Sequence, residues 1–346
     1  MNIDKYDQSK FLVLKAAYLY FISGLSQYEI STELGVSVTT VSRLLKKAKN
    51  DHIIEFVIRD PLVDCLRLEK DLKRRLGLKE VVIAPVVSSG GIDMEYSESD
   101  VKKLVALEGA RYLQRIIKDD DVLGCTWGST VYEMINYLNP AQKVEAQFVT
   151  LHGSLENCNT ELDVRVLVSR IARAFSGRRY ALLTDVLMDS EKTVASLKKE
   201  TSVARIYEIF KKVTIAVFGI GSLRPLEDTI LTSPGFLSDK DISELRDANA
   251  VGDIGLRFFD EDGNECDTSL KNRTLAIDWE CFKRVPGKVL MASGIRKAYA
   301  VLCAARGGMC DVLIIDSNLA EKILEMIDEE ETQDAPGGLQ PDTRHE

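Results

Sequence analysis

The sequence predicts an α/β protein in two parts: an N-terminal helix-turn-helix domain of winged-helix-like form, then a larger Rossmann-like domain on a parallel sheet. Three observations predict it. Residues 27–50 hold two capped amphipathic segments joined at one glycine. From residue 78 onward, short β-branched runs alternate with helical stretches, the pattern of a parallel sheet covered on both faces. Charge is also divided: residues 1–58 carry a net +1 and the remainder −10, within a total of −9 over 346 residues.

The N-terminal part reads element by element. Residues 10–23 form a strongly apolar helical run that includes Leu12, Leu14, Ala17 and Leu19, and Gly24 ends it, since glycine accepts the left-handed cap conformation. Ser26 and Glu29 have capping-box spacing for a short helix from Gln27 to Leu34. Ile30 and Leu34, four apart, share its inner face. Gly35 makes the turn, Val36 plugs the core below it, and Ser37 caps a third helix, VTTVSRLLKKAKN. On that helix Val38, Val41, Leu44 and Leu45 fall on one face, while Thr39, Thr40, Ser42, Arg43, Lys46 and Lys47 fall largely on the other. Short hydroxyl side chains and an arginine near a helix start suit base edges in a major groove, and lysines farther along suit phosphates. The candidate duplex-contacting set is Gln27, Ser37, Thr39, Thr40, Ser42, Arg43, Lys46 and Lys47. The alternatives are a solvated basic face and a plain three-helix packing unit. A short apolar strand, Ile53 to Ile58, follows as a candidate wing.

The expected division is 1–58 for this domain, 59–77 for a linker helix, 78–328 for the larger domain and 329–346 for a disordered tail poor in apolar residues. Asp60-Pro61 breaks the chain, and the helix after it carries Leu62, Leu66, Leu72 and Leu76 on one stripe. It reads equally as a connector able to help dimerisation and as a helix packed on the body. Strands are expected at 80–86, 122–126, 146–151, 214–220, 289–294 and 312–316, and a turn of Asp-Gly type within Phe258–Asn264. Ligands of such sheets bind beyond the carboxyl ends of the strands. Four ends have unusual chemistry: Gly124 to Thr130, His152-Gly153-Ser154, Gly219 to Ser222, and Ser293 to Lys297. Glycines allow close backbone approach, and helix-end amides favour an anion.

Composition excludes several classes. Hydrophobic residues are 45% and charged residues 29%, an ordinary globular balance. No apolar run is long enough for a membrane-spanning helix, and Met1 to Lys5 does not open a signal peptide, so a cytoplasmic chain is expected. Seven scattered cysteines with no CxxC pair, and three histidines, argue against a zinc site or a disulfide framework. GxGxxG and GxxxxGK[ST] are both absent, which disfavours dinucleotide and P-loop sites. No cofactor, metal or catalytic residue is expected. The acidic body repels phosphate backbones and so confines nucleic-acid contact to the N-terminal part.

Gly24 to Ile30, Leu34 to Ser37 and Thr40 to Ala48 together resemble the SorC family of bacterial sugar-responsive transcriptional regulators, as do Gly128-Ser129-Thr130, Gly219-Ile220-Gly221, Gly252-Asp253-Ile254, Arg257 to Asp260 and Gly294 to Ala298. The likeness runs in order over roughly residues 10–325. It implies an effector domain related to sugar-phosphate isomerases and CoA transferases, a phosphorylated sugar as effector, operator DNA as partner, and a homo-oligomer, dimer or tetramer. Carried over by position, Gly128, Ser129 and Thr130 would hold the phosphate, His152 and Gly153 would line the pocket, Asp253 would accept sugar hydroxyls and Lys297 would supply positive charge. The chain departs from the family pattern at His152 (often Lys or Arg), Ser154 (often Gly) and Arg165 (often Asn). Each departure reads either as a changed ligand or as drift, and His152 equally as a structural histidine. The other function class is an isomerase- or deaminase-like enzyme carrying a helix-turn-helix head, with Asp253, His152 and Lys297 as acid and base.

Overall fold

The computed structural model describes residues 8–54, 62–86, 96–140, 143–155, 160–224 and 236–333. The chain divides into two compact units, Met1–Asp60 and Pro61–Glu346.

In the first unit, α1 (Gln8–Phe21), α2 (Gln27–Leu34) and α3 (Val38–Asn50) pack around Ala16, Ile30, Val41 and Leu45. The punctuation is as read: Ser26 and Glu29 form the capping box, Gly35 takes φ 65°, and the Ser37 side chain accepts from the Thr40 amide. Two positions differ. Val38 is 42% exposed and Leu14 49%. Val38 is the first helical residue of α3, and the buried stripe starts one turn later, at Val41, and runs through Leu45 and Ala48. The expected strand falls mostly outside the described residues; Ile53 and Ile54 follow α3 without strand geometry and pack beside Val13, Ala17 and Ala48.

The second unit begins with α4 (Val63–Leu76), β1 (Glu80–Ala84), α5 (Glu98–Ile116), β2 (Val122–Cys125), α6 (Ser129–Asn136) and β3 (Gln147–Thr150). Then come α7 (Val164–Phe175), β4 (Arg178–Tyr180), α8 (Glu191–Leu197), α9 (Thr201–Phe210), β5 (Ile215–Phe218) and β6 (Gly221–Ser222). After α10 (Asp239–Asp247) the chain forms β7 (Gly252–Ile254), β8 (Arg257–Phe259), α11 (Ser269–Arg273) and α12 (Trp279–Lys283). It ends with β9 (Gly287–Ala292), α13 (Ala298–Arg306), β10 (Val312–Asp316) and α14 (Ser317–Gln333). The helix α4 packs on this unit through Cys65 and Leu72, while Leu62 and Leu66 of the expected stripe are exposed. Helix α14 extends to Gln333, and the rest of the expected tail lies outside the described residues.

Seven strands make one parallel sheet in the order β1-β10-β9-β5-β2-β3-β4. Five of the six expected strands, β2, β3, β5, β9 and β10, are interior and almost wholly buried, which is why they read as continuous apolar runs. The short β6, β7 and β8 form a separate antiparallel sheet. The turn after β8 is closed by the Asp260 carboxylate, which accepts from the Asp262 and Asn264 amides, with Gly263 at φ 73°. From β2 the chain winds outward to β3 and β4; from β5 it winds the other way to β9 and β10. The reversal lies between β2 and β5, and helices that leave for opposite faces open a crevice there.

Phe148 on β3 is fully buried and stacks on Phe175 of α7, ring centroids 5.8 Å apart. Phe148→Ala should lower unfolding free energy by about 3–5 kcal/mol, read by urea denaturation; a loss below about 1 kcal/mol would mean the sheet–helix core is not closed at this point.

Candidate functional site

Two surfaces carry chemistry, one on each unit. On the first, Thr39, Ser42, Arg43, Lys46 and Lys47 are exposed on α3, and Gln27 and Thr40 are half-buried. The hydroxyls at the helix start are engaged: Ser37 Oγ lies 3.1 Å from Thr39 Oγ1 and 2.8 Å from Thr40 Oγ1. Arg43 and Ser42, one turn on, face solvent over the buried Val41–Leu45 stripe.

On the second unit, a cavity of about 690 Å³ opens where the strand order reverses. Its walls are the ends of β2, β5, β9 and β10. After β2, Gly128 (φ 142°) starts α6 with no side-chain cap, leaving its first amides open to a ligand beside Ser129 and Thr130. After β5, Gly219 and Gly221 form a floor without side chains. A Cβ at Gly221 would overlap Asp253 Oδ1, so the glycine is what lets this carboxylate in. Asp253 is 4% exposed; its Oδ2 accepts from the Leu256 amide at 3.1 Å, and Oδ1 accepts nothing among the described residues. Burial pushes its pKa up to about 6, against the Leu256 hydrogen bond and the Lys297 charge, which pull it down. After β9, Gly294 (φ 92°) turns into a 3-10 segment, Ile295–Lys297. Asp316, at the end of β10, pins that turn by accepting from the Gly294 amide at 2.8 Å and the Leu319 amide at 2.9 Å. Lys297 lines the cavity, and its ammonium has no hydrogen-bond or ion-pair partner among the described residues.

The structure therefore brings Gly128, Ser129, Thr130, Asp253 and Lys297 together around one cavity. His152 and Gly153 are not in its lining. They follow β3, which lies on the far side of β2 from the reversal. His152 is fully buried; its Nε2 accepts from the Trp127 amide at 2.9 Å, and Nδ1 lies 2.6 Å from the Gly153 carbonyl oxygen. That pairing requires Nδ1 to carry the hydrogen and the ring to be neutral, and burial pushes the pKa down to about 4. Its place is thus behind the Gly128 turn, which it orients through Trp127. The other two departures meet on one carboxylate: Asp163 receives the Ser154 hydroxyl and a two-point contact from Arg165, 3.0 and 2.9 Å. Burial opposes ionisation of Asp163, but these hydrogen bonds outweigh it and hold the acid below its ordinary range. Arg165 is thereby committed to Asp163 rather than to the cavity.

Sequence reasoning missed Asp316 and Lys102. Asp316 was within reach, as an acid closing an apolar strand; Lys102 on α5 was not, because only helix phase separates it from Lys103, which lies outside the lining. A second cleft, about 580 Å³, runs past Arg257 and Trp279. Two of its cations are already paired, Arg257 with Glu265 and Lys198 with Asp278, both at 3.0 Å. Lys271 also pairs with Glu265, at 3.9 Å, while Lys283, Glu191 and Glu280 form no ion pair among the described residues.

His152 gives a pH test. Its folded pKa is depressed, so the unfolded chain takes up this proton from about pH 6.5 and the folded chain only near pH 4. Stability from this group is present above pH 6.5 and is lost as pH falls across that window. Asp253, with its raised pKa, acts in the opposite sense, so the comparison is between wild type and His152→Gln. Melting curves from pH 7 to 4 should fall more steeply for wild type; parallel curves would show that the ring is not buried neutral.

Known proteins resemble the chain over most of its length. A model of the Sugar-bind family, named Putative sugar-binding domain, matches residues 60–325. The deoxyribonucleoside regulator of Bacillus subtilis (strain 168) is 30% identical over 315 residues, 90% of this chain and 97% of that protein. The sorbitol operon regulator of Klebsiella pneumoniae is 26% identical over 317 residues, 91% and 98% of the two chains. The crystal structure of full-length SorC from Klebsiella pneumoniae matches with a TM-score of 0.71 at 25% identity, over 91% of this chain and 99% of that one. These relatives are regulators over essentially their whole length, and the enzyme alternative falls away. No helix among the described residues is long and apolar enough to cross a membrane. The chain belongs to the Sugar-bind family and is a SorC-type transcriptional regulator.

Proposed function

We propose that the first unit is a helix-turn-helix domain that reads operator DNA, and that a phosphorylated sugar in the cavity of the second unit sets its affinity. One observation carries the effector reading: an unpaired lysine, a buried carboxylate with a free oxygen and an uncapped helix start converge on one cavity at the sheet reversal. The Gly128–Thr130 amides and hydroxyls suit a phosphate, Asp253 suits sugar hydroxyls, and Lys297 supplies charge. Lines of descent named for deoxyribonucleoside and sorbitol regulation support a carbohydrate-type effector. The body's kinship to sugar-phosphate isomerases and CoA transferases belongs to the same reading.

On α3, Arg43 and Ser42 would meet base edges with Thr39 and Thr40 beside them, while Ser37 and Gln27, at helix starts, and Lys46 and Lys47 would meet phosphates. The protein would act in the cytoplasm as a dimer or tetramer, since paired half-sites mirror two-fold protein symmetry. Control is linkage: a sugar phosphate that fits one quaternary arrangement better shifts the population toward it. Coupling of about 1–3 kcal/mol changes operator affinity roughly 5–150-fold.

Two variants test the two halves. Arg43→Ala should cost about 1–3 kcal/mol of operator binding and leave the melting temperature nearly unchanged, as Arg43 is exposed; unaltered discrimination between operator and random DNA, by fluorescence anisotropy, would remove Arg43 from base reading. Lys297→Ala should abolish the response of DNA binding to sugar phosphates while affinity for DNA alone is retained. A variant that still responds at wild-type sugar-phosphate concentrations would show that Lys297 is not part of the effector site.

A further inference from the structure

The cavity has two positive poles, not one. The first is the uncapped start of α6 at Gly128. The second is a pair of lysines: Lys297 after β9, and Lys102 on the second turn of α5. Neither ammonium has an ion-pair or hydrogen-bond partner among the described residues. They are near enough that the Lys102 charge, after burial, helps hold the Lys297 ammonium below the ordinary lysine range, against the Asp253 carboxylate, which acts the other way without forming an ion pair. Like charges facing one cavity repel, and the arrangement is relieved by an anion between them. Glu98, Asp316, Arg224 and Arg296 also line the cavity; neither acid forms an ion pair with these lysines, Asp316 is committed to the Gly294 and Leu319 amides, and the Arg224 guanidinium lies over the Tyr299 ring and donates to the Asn249 carbonyl.

The poles are separated by the sheet itself. In the strand order, β5 lies between β9 and β2, so the two strand ends stand two spacings apart, about 10 Å. Between them lies the glycine floor, Gly219 and Gly221, with the Asp253 carboxylate against it. The order across the cavity is cationic pole, hydroxyl acceptor, anion-binding helix start.

From this we infer that the effector carries an anionic group at each end of a hydroxylated spacer, and that Lys102 is the residue that selects for the second anion. The class is a sugar bisphosphate or a phosphorylated sugar acid. The inference deepens the effector reading above and rests on it. One phosphate sits at Gly128–Thr130, the spacer hydroxyls meet Asp253, and the far anion bridges Lys102 and Lys297.

The test is isothermal titration of the full chain, at fixed ionic strength, with a hexose 6-phosphate, a hexose 1,6-bisphosphate and 6-phosphogluconate. The same titrations are run on Lys102→Ala and Lys102→Arg, with circular dichroism melts to verify folding. A doubly anionic ligand should bind wild type about tenfold or more tightly than the monophosphate. Lys102→Ala should erase that preference with little change for the monophosphate, and Lys102→Arg should retain it. Which of the two dianions binds better identifies the far group as phosphate or carboxylate. Equal binding of mono- and dianions, or a preference that survives Lys102→Ala, overturns the inference and leaves the effector reading standing. Binding of none of the three removes the effector reading and this inference with it.

Discussion

The reversal of strand order between β2 and β5 is the constraint on which the site depends. Parallel strands all point their carboxyl ends to one edge, and only at a reversal do the following helices part to leave room there. Here the parted ends are rich in glycine. Gly128 starts a helix without a cap, Gly219 and Gly221 leave a bare floor, and Gly294 turns the chain so that Lys297 faces the opening. A side chain at Gly221 would evict Asp253, so backbone geometry and site electrostatics are one requirement.

The cavity holds opposite charges, Asp253 and Lys297, that act on each other without a direct ion pair. Asp253 is buried with one oxygen unused, and Lys297 and Lys102 lack partners among the described residues. Buried charge left incomplete costs stability. A ligand that completes these contacts recovers that cost, which is how a small polar molecule gains differential affinity for one conformation. The neighbouring groups are fully engaged by contrast: Asp316 holds the Gly294 turn, His152 supports the Gly128 turn from behind, and Asp163 takes up Ser154 and Arg165.

Much of this was legible in the sequence, and what was not shares a physical cause. Helix caps at Ser26 and Ser37, the turn at Gly35 and the buried strands are local or periodic signals, and the structure repeats them. The site glycines and Lys297 were visible as odd chemistry at strand ends, and Asp253 only through the family resemblance. His152 looked equivalent to them because the sequence shows that it ends a strand but not where that strand lies; β3 is beyond β2, away from the reversal. Ser154 and Arg165, eleven positions apart, gave no sign that one carboxylate joins them. Lys102 was hidden by an adjacent lysine, and Val38 by a helical pattern that does not report where its neighbours end.

The central claim is that an anionic sugar occupies the crevice at the strand reversal. Hydrogen exchange of backbone amides, with and without a saturating sugar phosphate, tests it most directly. The account predicts new protection at Gly128 to Tyr132 and Gly294 to Lys297. Protection confined to residues 191–198 and 271–283, beside the second cleft, would contradict it.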